Sequence, residues 1–213
     1  EADTLFIGGG TPSLMAPGQM AQILSALTEA FPWRAGYEAS CEANPESLTG
    51  GFLEALVRGG INRLSLGAQA SQPRLLEVIG RRHSWEQVEK GAQMAREAGI
   101  SNINLDLMAG LPGQSLDDLG ESLDAALALM PPHLSCYGLI LEEGTPLSRA
   151  VARGTLLLPG EDTEIRMDAL IRDKLAGAGY GHYEVSNHAL PGQECRHNLN
   201  CWEYADYLGF GAA

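Results

Sequence analysis

The chain has 213 residues, 45% hydrophobic and 19% charged, which suits one globular domain with a sizeable core. A formal net charge of −13 argues against a nucleic-acid backbone as partner, and no apolar run approaches the roughly 18 residues needed to span a bilayer. Of four cysteines, Cys41 and Cys136 lie inside apolar strand-like runs, which reads as buried reduced thiols in a cytoplasmic setting rather than a disulfide framework.

Strand-like segments alternate with helical patterns along the chain. A strand over 4–7 runs into "GGGTP", and a helix follows with Met20, Ile23, Leu24, Leu27 and Phe31 at 3-and-4 spacing. A strand over 37–42 leads to a short helix carrying Phe52, Leu53, Leu56 and Val57, and then to a strand over 62–67. Ser84 and Gln87 form a capping box for a helix over 85–98, which Gly99 ends. A strand over 102–108, a helix over 116–130 stopped by Pro131 and Pro132, and a strand over 133–139 come next. After residue 140 the pattern fades into a helix over 161–178, one short strand in "GHYEVSNHA" and a loop-rich aromatic end. Such alternation predicts an α/β fold of parallel strands, as an open sheet or a partial barrel, over 1–180, with a loop-rich segment over 181–213. With no initiator Met and an end at "YLGFGAA", the chain reads as an internal piece of a longer protein.

Polar residues stand late in the apolar strands, where parallel α/β folds place their sites: Glu42, Gln69 and Asp106. A carboxylate inside a buried strand is costly unless it is paired or binds something. Gly8, Gly9 and Gly10 at a strand end let a ligand approach the main chain, or they form only a structural turn; neither GxGxxG nor a Walker lysine is present. Arg81, in "GRRH", could neutralise a ligand carboxylate or simply lie on a solvated edge.

In this order, "FIGGGTPSLM", "EANPE", "NRLSLGAQ", "GRRH", "NLDLMAGLPGQ" and "PPHLSCYGLILEEGTP" resemble the radical S-adenosylmethionine proteins of the oxygen-independent coproporphyrinogen III oxidase group. The resemblance runs from residue 4 to the last residue. It implies a partial (β/α) barrel of the radical SAM type, here without its first strand and cluster loop. It also implies that Gly9, Gly10, Thr11, Glu42, Gln69, Arg81 and Asp106 bind S-adenosylmethionine, with Ile140 beside the adenine. A [4Fe–4S] cluster is a further implied cofactor, but its CxxxCxxC loop would precede Thr4. No cysteine here has that spacing, so no metal ligand is assigned within the chain.

The C-terminal "ECRHNLNCWEYADYLGFGA" resembles the HNxxYW stretch of the HemW-type haem chaperone branch, as does His83 in "GRRH". This implies haem as a ligand, His197 as its axial-ligand candidate, and haem-acceptor proteins as partners, a membrane-associated acceptor among them. Cys201 stands where that pattern has Tyr. Two other readings compete: the oxidase itself, decarboxylating coproporphyrinogen III, and an unrelated α/β enzyme whose glycines bind a phosphate. His133, His182 and His188 carry no comparable context.

Overall fold

The computed structural model describes residues 1–211. Its first five strands are β1 (Ala2–Ile7), β2 (Trp33–Ala43), β3 (Arg63–Gln69), β4 (Asn102–Ala109) and β5 (His133–Gly138). They pair in parallel and in sequence order. The crossovers are α1 (Pro17–Ala30), α2 (Gly50–Arg58), α3 (Pro73–Val78) with α4 (Trp85–Glu97), and α5 (Leu116–Ala128). A doubly wound sheet reverses its strand order at a switch point, whereas this order never reverses, as a partial barrel requires. The capping box of Ser84 and Gln87 starts α4, with the Ser84 N–H donating to Gln87 Oε1 at 2.9 Å.

Two more helices, α6 (Pro146–Ala152) and α7 (Glu161–Gly177), lead to β6 (Gly181–His182), β7 (Asn187–Ala189) and α8 (Arg196–Trp202). "GHYEVSNHA" is therefore a hairpin rather than one strand. The chain reverses over 184–186, and the Tyr183 N–H donates to the Asn187 carbonyl at 3.2 Å. β7 pairs antiparallel to β5, and β6 antiparallel to β7, so the segment beyond residue 180 continues the same sheet. Among the described residues the sheet is open, with β1 and β6 at its edges.

Strand alternation divides the two faces. Ala39, Cys41, Leu64, Leu66, Ile103, Leu105 and Leu134 point toward the helices and form one core with Met20, Leu24, Phe52, Val88, Leu123 and Leu175. Their neighbours line the inside of the curl and are polar: Glu38, Ser40 and Glu42; Arg63 and Ser65; Asn104 and Asp106; His133 and Ser135. Glu42, Ser65, Asn104 and His133 stand in one row across four strands, and Gly67, Asp106 and Ser135 stand in the row above. An interior built this way is a place for hydrogen bonds, not for a second apolar core.

Candidate functional site at the strand ends

The three glycines after β1 are glycine for different reasons. A Cβ on Gly8 would lie 2.6 Å from Phe6 Cε1 and 3.0 Å from Glu42 Oε2, so Gly8 is small to let Glu42 pack against the turn. Gly9 and Gly10 have φ of 77° and 29°, in the left-handed region that a side chain disfavours, and a Cβ on either would meet nothing within 4 Å. The main chain is therefore bare on its open side. The sequence left a ligand site and a structural turn as alternatives here; the turn is formed, and Gly9 and Gly10 leave its main chain accessible.

Glu42 sits half-buried near the end of β2 and accepts a hydrogen bond from the Gly9 main chain. Burial raises its pKa, the Asp106 charge adds to the rise, and the Gly9 N–H opposes it. Asp106, on β4, accepts from Ser65 Oγ at 2.9 Å and from Asn104 Nδ2 at 2.7 Å. Burial still outweighs these donors and pushes its carboxyl up to about 6. Neither carboxylate has a cationic side chain in salt-bridge contact among the described residues. Two carboxylates held this way favour a ligand that brings hydroxyl or ammonium donors.

Gln69, buried at the end of β3, takes φ of 64°, rare for a side-chain-bearing residue. It is the centre of a γ-turn, closed by the Ala70 N–H on the Ala68 carbonyl at 2.8 Å, and a register shift precedes it. Buried His83 braces the turn, its Nε2 lying 3.0 Å from the same Ala68 oxygen. Strain held in place by neighbours is a mark of functional sites. Asn44 ties the rim together. It donates from Nδ2 to Thr11 Oγ1 at 3.3 Å and accepts from Arg81 at 2.9 Å. Its Oδ1 would lie 3.3 Å from a Cβ on Gly67, and Gln69 Nε2 would lie 2.9 Å from it, which is why Gly67 has no side chain. Ile140, just past β5, is 78% exposed, an apolar surface at the rim.

The C-terminal motif "RHNLNCW" is the helix α8 and not a loop. The buried Glu38 carboxylate holds its start, accepting from the Arg196 and His197 N–H groups at 3.1 Å each and from the Cys195 thiol at 3.3 Å. His197 is stacked on Phe6, with ring centroids 5.1 Å apart, and its Nδ1 lies 3.0 Å from Thr4 Oγ1. Burial lowers its pKa, against a smaller pull from Glu38, so the ring favours the neutral form. In the sequence, 187 positions separate His197 from Gly10 of the glycine turn. The structure separates them by one ring, because the Phe6 against which His197 stacks also closes over Gly8. Cys201 is exposed; Cys41, Cys136 and Cys195 are buried and free. Among the described residues no group of three or more His, Cys, Asp or Glu side chains could hold a metal ion, so these residues offer no cluster site. No described helix is long and apolar enough to cross a membrane.

A parallel partial barrel with a bare glycine turn, two carboxylates and a strained amide at its C-terminal strand ends belongs to the class that holds small ligands at the barrel mouth. Residues 1–126 match the family described as "Radical SAM superfamily", and the chain belongs to that superfamily. It is similar to "Heme chaperone HemW" of Bacillus subtilis (strain 168), 40% identical over 213 residues, all of this chain and 56% of that protein. The same holds for "Heme chaperone HemW" of Escherichia coli (strain K12), 38% identical over 211 residues, 99% of this chain and 55% of that one. The chain thus spans about half the length of the curated relatives it matches. Among solved structures, coproporphyrinogen III oxidase (HemN) from Escherichia coli, described as a radical SAM enzyme, superposes with a TM-score of 0.79 at 26% identity. That match covers 94% of this chain and 46% of that structure.

Proposed function

We propose that this chain is the adenosylmethionine-binding half-barrel of a cytoplasmic haem chaperone, which binds haem and passes it to acceptor proteins. The donor set supports the first part. Gly9 and Gly10 offer bare main chain for the methionine end, Thr11 and Arg81 meet at Asn44 on the same rim, and Glu42 and Asp106 accept from ammonium and hydroxyl groups. Gln69 closes the rim beside them, and Ile140 offers the apolar surface for a base. Bound together with a [4Fe–4S] cluster whose ligands lie outside the described residues, adenosylmethionine would supply redox or regulatory chemistry. This chain's own part is to orient the sulfonium ligand and take its hydroxyl protons as hydrogen bonds.

The observation that carries the haem part is His197. Its Nδ1 is engaged by Thr4 and its ring is held on Phe6, which leaves a neutral Nε2 without a hydrogen-bond partner among the described residues. A histidine whose other nitrogen is occupied is the usual form of an iron-ligating imidazole. The test uses the intact protein with its cluster. His197→Phe keeps the ring on Phe6 but removes the nitrogen. It should weaken haem binding about tenfold or more and change the Soret band, with adenosylmethionine affinity held within about twofold. His197→Ala should disturb both ligands, because Phe6 loses its cover next to Gly8. Cys201→Ser should leave the haem spectrum unchanged. Wild-type haem titration in His197→Phe, with decarboxylation of coproporphyrinogen III by the parent protein, would replace the chaperone with the oxidase.

A further inference from the structure

His133 stands in "PPHLSCYGLILEEGTP" with no role implied for it, yet it is buried at the start of β5 on the interior face. It is 1% exposed, and burial drives its pKa down to about 2, so its ring is neutral and one nitrogen must accept while the other donates. Neighbouring groups decide which. Asn104 Nδ2 lies 2.7 Å from the Asp106 carboxylate and 2.7 Å from Ser65 Oγ, so this end of the amide is the donor end. Asn104 Oδ1 is then an acceptor, and His133 Nδ1, 2.6 Å away, must donate to it. Ser135 Oγ donates to the same oxygen at 3.1 Å. With the proton on Nδ1, Nε2 accepts from Tyr183 Oη at 2.8 Å, and that oxygen in turn accepts from the Cys195 N–H at 3.2 Å. Four consecutive hydrogen bonds of one polarity thus join the start of α8 to the carboxylate at the barrel mouth.

We propose that His133 is a positioning residue for ligand binding, which holds the Asn104 amide in the one orientation that aims a donor at Asp106 and connects that orientation to α8 through Tyr183. The proposal rests on the reading of Asp106 as an adenosylmethionine contact. If the amide flipped, it would present its oxygen to a carboxylate and repel it. The neutral Nδ1–H tautomer of His133 blocks the flip, since the flipped amide would point N–H at N–H. Without that polarity Asp106 would lose the Asn104 donor and keep the Ser65 hydroxyl.

The test has two arms on the intact, cluster-bearing protein. In the first, nitrogen-15 NMR of labelled histidine in the unaltered protein should show His133 as the Nδ1–H tautomer, neutral throughout the accessible acid range. The Nε2–H tautomer would overturn the proposal without any variant. In the second arm, adenosylmethionine affinity is measured across pH. Asp106 faces the charged Glu42 and Arg63 and the neutral Tyr137 and Cys136, all of which are unchanged in every variant. His133→Asn keeps a donor at the Nδ1 position and should bind within about twofold of the parent, whereas His133→Gln keeps only the Nε2 side. His133→Gln should bind about three- to tenfold more weakly and move the midpoint of the pH profile upward by about half a pH unit, since Asp106 loses a fixed donor. Equal losses in both variants with no movement of the midpoint would make His133 merely structural. Asp106→Asn without effect on affinity would remove the underlying reading and the proposal with it. An effect of Asp106→Asn with none of His133→Gln would overturn the positioning role alone.

Discussion

Asp106 is the residue whose surroundings conflict most with its charge. Its carboxyl moves from an ordinary 3.8 to about 6. Because the folded value lies above the unfolded one, the native state holds more protons between those limits, and stability falls as pH rises from about 4 through about 6. Above pH 7 the ionised group costs the fold roughly 2–3 kcal/mol, which a ligand with hydroxyl or ammonium donors would offset. Asp106→Asn should therefore raise the melting temperature of the ligand-free protein at pH 8, by several degrees, with the gain shrinking to nothing near pH 4. Melts that shift equally at both pH values would mean that the carboxyl is not strained. Asp106 was legible in the sequence because an acid in "NLDLM" violates the apolar pattern of its strand. His133 and Asn104 were not, since a histidine at the start of a strand is ordinary until its partners, 29 residues away for Asn104 and 50 for Tyr183, are brought to it.

At the scale of elements, α8 depends on Glu38 more than on its own sequence. A seven-residue helix cannot sustain itself in isolation, and α8 has no side-chain cap of its own. A carboxylate from β2 supplies the cap instead. Glu38→Ala should loosen α8, with hydrogen-exchange protection of the Arg196 and His197 amides falling about tenfold or more. The strands around the glycine turn should be less affected, and unchanged protection at α8 would show that Phe6 and Thr4 suffice to hold it. The long crossover helices were legible from their apolar spacing, whereas α3, α6 and α8 were not. Those three have six or seven residues each, too few for a period to declare itself, and they form where tertiary contacts or a Pro at the first turn favour them.

For the whole molecule, sequential parallel pairing explains why the candidate residues could be grouped from the sequence. When strands run side by side in chain order, residues late in each strand must meet at one edge, and Gly9, Gly10, Glu42, Gln69 and Asp106 all stand at or near it. The packing of α8 was not foreseeable in the same way, because the segment after residue 180 returns antiparallel and sets α8 against β1, linking residues 193 positions apart. The central claim is that this edge holds adenosylmethionine. Isothermal titration of adenosylmethionine into the intact, cluster-bearing protein and its Glu42→Gln variant tests it most directly, since the change keeps the side chain's shape against Gly8 and removes only the charge. The account predicts affinity lower by about tenfold or more, the worth of a charge-assisted hydrogen bond. Equal affinity in the two proteins would contradict it.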